Sequence, residues 1–244
     1  VSVTNRWVSR PGFRVHAGRR VANRRVAATV VVPRLDNGVV VETSLWMQKV
    51  AEDPGHSDWY VERMRGLARA GDDLAGEARL VDAMASRGSR ILDAGCGPGR
   101  VGAALAAAGH DVVGVDVDPV LIAAAREDHP GPRWVVGDLA ELDLSAQGVD
   151  TPFDLVVCAG NVMPFLAPST RGAVLSRFHG WLAPGGRAAV GFGTDRGYTA
   201  DDFFADAAAA GFRTDHAFAT WDLRPFEPDS GFLVAVLSRA PEGA

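Results

Sequence analysis

The chain has 244 residues, 47% of them hydrophobic, which allows one sizeable core and leaves little room for a second full domain. No apolar run approaches membrane-spanning length, and the two cysteines, Cys96 and Cys158, form neither a C-x-x-C pair nor a His/Cys cluster at metal-ligand spacing, so no metal site is expected and a reducing cytoplasm is the natural compartment. The formal net charge of -5 is uneven: residues 1–35 hold eight arginines and no acid, leaving 17 basic against 30 acidic side chains elsewhere, and a solvated acidic body disfavours nucleic acid as a partner.

Residues 1–40 lack helical period and mix arginine with small and β-branched residues. They read as a disordered extension or short strand, with a nucleic-acid or membrane-surface arm as the alternative. The apolar run Val26 to Val32 is short for a signal core and is followed by Pro33-Arg34 in place of a small-residue cleavage site. Residues 41–244 read as the folded domain. From Ser57 the pattern turns helical, with Trp59, Tyr60 and Met64 on one patch, a break at Gly71-Asp72-Asp73, and a second helix ending near Gly88. Helices over residues 57–88 would either form a lid over the strand ends or simply cover the sheet.

The core, residues 89–238, opens on Ile91-Leu92-Asp93-Ala94-Gly95-Cys96-Gly97-Pro98-Gly99, a short apolar strand running into a glycine-rich turn and then a helix. Glycine there lets the backbone take left-handed conformations and approach a ligand closely. Two ligands fit: Gly97 to Gly102 satisfies the dinucleotide pattern G-x-G-x-x-G with Asp116 at the position of a ribose-binding acid, and the same turn suits another nucleoside cofactor. Strands then alternate with helices: 111–116, 133–136, 153–158 and 187–192 are strands, and 100–108, 119–126, 169–181 and 200–210 are helices, which argues for a parallel sheet covered on both faces. The last two strands, 212–220 and 231–237, are joined by ten residues with two prolines, too few for a helical crossover, so they should pair antiparallel.

Taken in order, Asp93 to Gly99, Val115-Asp116, Gly137-Asp138, Phe153-Asp154 and Leu182-Ala183-Pro184-Gly185-Gly186 resemble the motifs of class I S-adenosylmethionine-dependent methyltransferases across residues 57–238. The resemblance implies an α/β, Rossmann-like doubly wound mixed sheet of seven strands, order 3-2-1-4-5-7-6, with the last strand antiparallel and helices on both faces. Its implied cofactor is S-adenosylmethionine, leaving as S-adenosylhomocysteine, with a small-molecule acceptor. By the same resemblance Asp116 would take the ribose hydroxyls and Asp138 the adenine amino group. Val117 and Leu139 would sandwich the ring, with the Leu139 backbone at its edge. The turn residues Gly95, Cys96, Gly97 and Gly99 would face the methionine part, Asp93 would hold the turn or reach the amino group, and Arg65 or Arg63 would pair with the carboxylate. Tyr60 would lie over the donor.

Ala159 to Phe165, after strand four, should line the transfer position. That stretch departs from the N/D-P-P-Y/F signature of amino-group methyltransferases, because two residues separate Asn161 from Pro164. Asn161 would contact donor or acceptor, or else satisfy loop backbone. Residues 193–198 and 221–226 are the expected acceptor walls. No catalytic base is legible, and an NAD-binding oxidoreductase and a non-catalytic cofactor-binding module stand as alternatives.

Overall fold

The computed structural model describes residues 42–240, together with Leu35–Asp36 and Val39–Val40, which pair as a two-residue antiparallel ladder. The reading of the remaining arginine-rich stretch falls outside the described residues.

Helix α1 (Leu45–Glu52) comes first, begun by Ser44, whose Oγ accepts from the Met47 N–H at 3.3 Å. Helical pattern was expected only from Ser57. The additional helix has eight residues and none fully buried, so its apolar periodicity is too short to read, and its one local signal is the capping serine. Helices α2 (His56–Arg69) and α3 (Gly76–Met84) follow, separated at the expected break. The core then runs β1 (Arg90–Ala94), α4 (Arg100–Ala107), β2 (Asp111–Asp116), α5 (Pro119–Asp128), β3 (Arg133–Val136), β4 (Phe153–Cys158), α6 (Val162–Phe165), α7 (Arg171–Trp181), β5 (Leu182–Gly193), α8 (Ala200–Ala209), β6 (Phe212–Phe218) and β7 (Phe232–Arg239).

The seven strands lie in the order β3-β2-β1-β4-β5-β7-β6, as the resemblance implied. Strands β1 to β5 are parallel, and β7 is antiparallel to both neighbours. Successive side chains alternate between two cores. Leu92, Val113, Val156 and Val190 pack with α7 and α8 through Val174, Phe178 and Phe203, whereas Ile91, Val112, Leu155 and Ala189 pack with α3 and α4 through Val81, Val101 and Leu105. Burial on both faces explains why these strands are continuously apolar. Strand β5 begins five residues earlier than expected: Leu182 pairs with Phe153, and the register shifts across Pro184-Gly185-Gly186 before Arg187 pairs with Leu155. The parallel arrangement brings the carboxyl ends of β1, β2, β3, β4 and β5 to one edge, where the glycine turn and the acids sit.

Candidate cofactor site

The turn after β1 is built by backbone. The N–H groups of Gly95 and Cys96 donate to Val115 O at 2.8 and 2.9 Å, which ties the turn to β2. Gly95 has φ 77°, and a Cβ there would stand 2.3 Å from Cγ2 of Val162, so both conformation and packing require glycine. Beneath the turn Asp93 is 2% exposed, and its Oδ2 accepts from the Gly102 N–H at 2.8 Å. It therefore holds the turn against α4, the first of its two expected roles. Burial pushes its carboxyl up to about 7, against the opposing pull of the Gly102 bond and the Arg100 charge.

Asp116 ends β2 and is also buried. Its Oδ2 accepts from Gly97 N–H at 2.8 Å and its Oδ1 from Asp118 N–H at 2.9 Å. Desolvation raises its carboxyl to about 6, with these two bonds resisting. Each oxygen keeps a further lone pair for an incoming hydroxyl. Val117 beside it is half-buried. After β3, Asp138 Oδ1 accepts from Ala140 N–H at 2.9 Å and starts a turn, while its Oδ2 has no hydrogen bond among the described residues. Leu139 is 4% exposed with its side chain in the core, so the side chain does not offer the apolar face expected of it and only its backbone is left at the strand end.

A cleft opens over the turn, bordered by Tyr60, Asp93, Gly95, Cys96, Gly97, Arg100, Ala159 and Gly160. Tyr60 comes from α2, and its Cε1 lies 3.8 Å from where a Gly97 Cβ would be. Burial raises its phenol. Cys96 borders the cleft while packing with Ile122, Ala125 and Trp134, and burial drives its thiol well above the usual range. Gly99 caps α4 in a left-handed conformation, φ 87°. Asn161, at φ 68°, accepts with Oδ1 from Gly193 N–H at 2.6 Å, the backbone-satisfying role left open by the sequence, and so joins the loops after β4 and β5.

Arg65 is not brought to the cleft. It lies over α5, where Nε and Nη2 donate to the two Asp128 oxygens at 2.8 Å and Nη2 also to Glu127 at 2.9 Å. Three acids at the end of α5 and on α2 fix its fork there, which corrects the expected carboxylate contact. Arg63 stacks over Trp59 at 5.6 Å. The cleft's own cation is Arg100, which donates to Leu74 O at 2.8 Å and to both Glu77 oxygens at 2.7 and 2.5 Å. Sequence reasoning missed it because Arg100 stands at a variable position of the glycine pattern, and its partner Glu77 is 23 residues away. Tyr198 also leaves its expected acceptor wall: it is 2% exposed, stacks on Phe192 at 5.4 Å and donates to Asp206 Oδ2 at 2.6 Å. Trp221 packs over Gly191.

A parallel sheet with a glycine turn after β1 and a buried acid closing β2 defines a nucleoside-cofactor-binding α/β protein. The antiparallel β7 narrows that class. Residues 91–186 match the model of a methyltransferase domain family. A TehB-like S-adenosylmethionine-dependent methyltransferase from Corynebacterium glutamicum is 51% identical, with the match covering 77% of this chain and all of that one at a TM-score of 0.73. The chain belongs to the class I S-adenosylmethionine-dependent methyltransferases. A malonyl-[acyl-carrier protein] O-methyltransferase of Pectobacterium atrosepticum is 33% identical over 42% of this chain and 39% of its own length. A magnesium-protoporphyrin O-methyltransferase of Rhodobacter capsulatus is 34% identical over 46% of this chain and 50% of its own. The chain thus spans half or less of these two curated relatives.

Proposed function

We infer that the chain transfers the methyl group of S-adenosylmethionine to a small-molecule acceptor and releases S-adenosylhomocysteine. The observation that carries this reading is the convergence of the glycine turn, Tyr60 and Arg100 on one cleft at the carboxyl end of β1, with the buried Asp116 at the end of β2 bonded to that turn through the Gly97 N–H. Residues 41–244 form the methyltransferase domain in this reading.

The residues present suit the cofactor part by part. Asp116 accepts the ribose hydroxyls through its remaining lone pairs, and Asp138 Oδ2 accepts from the adenine amino group. Val117 and the Leu139 backbone border the ring. Backbone of Gly95 and Gly97, with Ala159 opposite, holds the methionine part while Tyr60 covers it. Arg100 takes over from Arg65 as the partner of the carboxylate, since it is the cation that borders the cleft among the described residues.

When bound, the cofactor supplies a methyl group already activated on a sulfonium. The chain's task is then to align the acceptor and exclude water, and alignment alone can lower a barrier by roughly 7–11 kcal/mol. Asn161, locked by Gly193, sets the loop that borders the transfer position. On the same side stands Arg196, whose Nε is 4.0 Å from Asp195 Oδ1. A hydrogen-bond acceptor or negative charge on the incoming molecule suits this rim. The acidic body outside residues 1–35 supports a small molecule over nucleic acid. Both cysteines are free and buried, in keeping with a reducing cytoplasm.

Differential scanning fluorimetry tests the cofactor assignment. S-adenosylhomocysteine should raise the melting temperature and NAD should not; stabilisation by NAD alone would overturn it.

A further inference from the structure

Asp118 resembles an ordinary helix cap, an acid before Pro119 at the start of α5, and its Oδ1 does accept from Val120 N–H at 2.9 Å. Capping uses only that oxygen. The other, Oδ2, accepts from Ser57 Oγ on α2 at 2.5 Å and from Trp46 Nε1 on α1 at 2.8 Å. Asp118 is 1% exposed, as is Ser57, so these bonds are shielded from water. Its own N–H donates to Asp116 Oδ1 at 2.9 Å. Asp118 therefore ties α1 and α2, through its side chain, to the acid assigned to the ribose, through its backbone N–H.

Trp46 extends the link. Its ring meets Tyr60 edge-on at 5.4 Å and Phe165 at 6.0 Å, so it joins α2 to α6. Helix α1 buries no residue fully and has only eight residues, a length that is not stable alone. Its placement against α2 and α6 rests on the indole N–H and the ring.

We propose that Asp118 and Trp46 are positioning residues that latch α1 and α2 over the cofactor, keeping Tyr60 in register with Asp116, and thereby set how long the cofactor stays bound. The proposal rests on the cofactor reading above. Trp46→Phe keeps most of the ring contacts and deletes the N–H. Asp118→Asn keeps the shape but offers one acceptor oxygen where two are used, and turns an amide N–H toward a donor. Ser57→Ala removes the second lid bond.

The test is the dissociation rate of S-adenosylhomocysteine from the full chain, measured by surface plasmon resonance well below the melting temperature, with proteolytic susceptibility of residues 45–69 followed alongside. Trp46→Phe should speed dissociation about tenfold, Ser57→Ala by a smaller factor, and the protection that S-adenosylhomocysteine gives to α1 and α2 should be lost in Trp46→Phe. A merely structural role lowers the melting temperature without changing the dissociation rate, so folded Trp46→Phe and Ser57→Ala variants with unaltered rates overturn the latch. Should the unsubstituted chain itself fail to bind S-adenosylhomocysteine, the cofactor reading falls and the latch with it. Asp118→Asn adds to the series if it folds; the other two variants suffice without it.

Discussion

Replacing Asp116 with alanine removes both acceptors from the proposed ribose site, and the structure sets the size of the effect. Hydrogen bonds to a charged group contribute about 1.5–3 kcal/mol each, so two of them suggest about 3–6 kcal/mol. The carboxylate is already ionised in the free chain at about pH 8, above its raised pKa of about 6, so the cost of burying its charge is borne before binding and does not enter the difference. The Gly97 N–H also loses its anchor, which loosens the turn and adds to the loss. The expected loss is therefore about 3–6 kcal/mol, or roughly 100-fold or more in affinity. Isothermal titration of S-adenosylhomocysteine at about pH 8 reads this directly. The penalty should shrink as the pH falls through about 6, where the unsubstituted carboxyl takes up a proton and loses its charge. Affinity within twofold of the unsubstituted chain, or a penalty that does not change with pH, would refute the assignment.

Other outcomes follow from the same geometry. Asp93 has a raised pKa of about 7, so its stabilising contribution is complete only below the ordinary 3.8 and is lost as the pH rises through 7. Asp93→Asn keeps an acceptor for Gly102 N–H, and urea unfolding of the ligand-free chain should show it more stable than the unsubstituted chain by on the order of 1–3 kcal/mol at about pH 8, with the difference shrinking toward pH 5. Arg65→Ala should leave S-adenosylhomocysteine affinity within twofold by titration, since its fork is occupied on α5. Arg100→Gln should weaken S-adenosylhomocysteine about tenfold while barely affecting 5′-methylthioadenosine, which has no carboxylate; equal losses for both ligands would move the carboxylate elsewhere.

Much of this architecture is legible in the chain because its signals are local. Strands buried on both faces appear as short apolar runs, Gly71 and Gly109 mark helix ends, and a ten-residue link with two prolines allows only an antiparallel return. Helix α1 was missed because its eight residues hold no buried stripe, and α6 because four residues carry no period. Asp93, Asp116 and Asp138 lie at or just after the ends of β1, β2 and β3, positions that follow from the strand pattern alone. What sequence could not rank was partnership across distance. Arg65 and Arg100 look alike as exposed helix arginines, and only the fold shows that acids at 127 and 128 hold one away from the cleft while Glu77 holds the other beside it. Asp118 is similar: its bonds to Ser57 and Trp46 span 61 and 72 residues.

Whether the cleft supports methyl transfer, and not cofactor binding alone, is read by incubating the full chain with S-adenosylmethionine labelled on the methyl group and a fractionated pool of small metabolites, nucleic acid and protein. Label should appear in the small-molecule fraction alone, together with S-adenosylhomocysteine, and should fall sharply in Asp116→Ala at cofactor concentrations that do not saturate the variant. Tight binding of the cofactor with no labelled product in any fraction, or label confined to nucleic acid, would contradict methyl transfer to a small molecule.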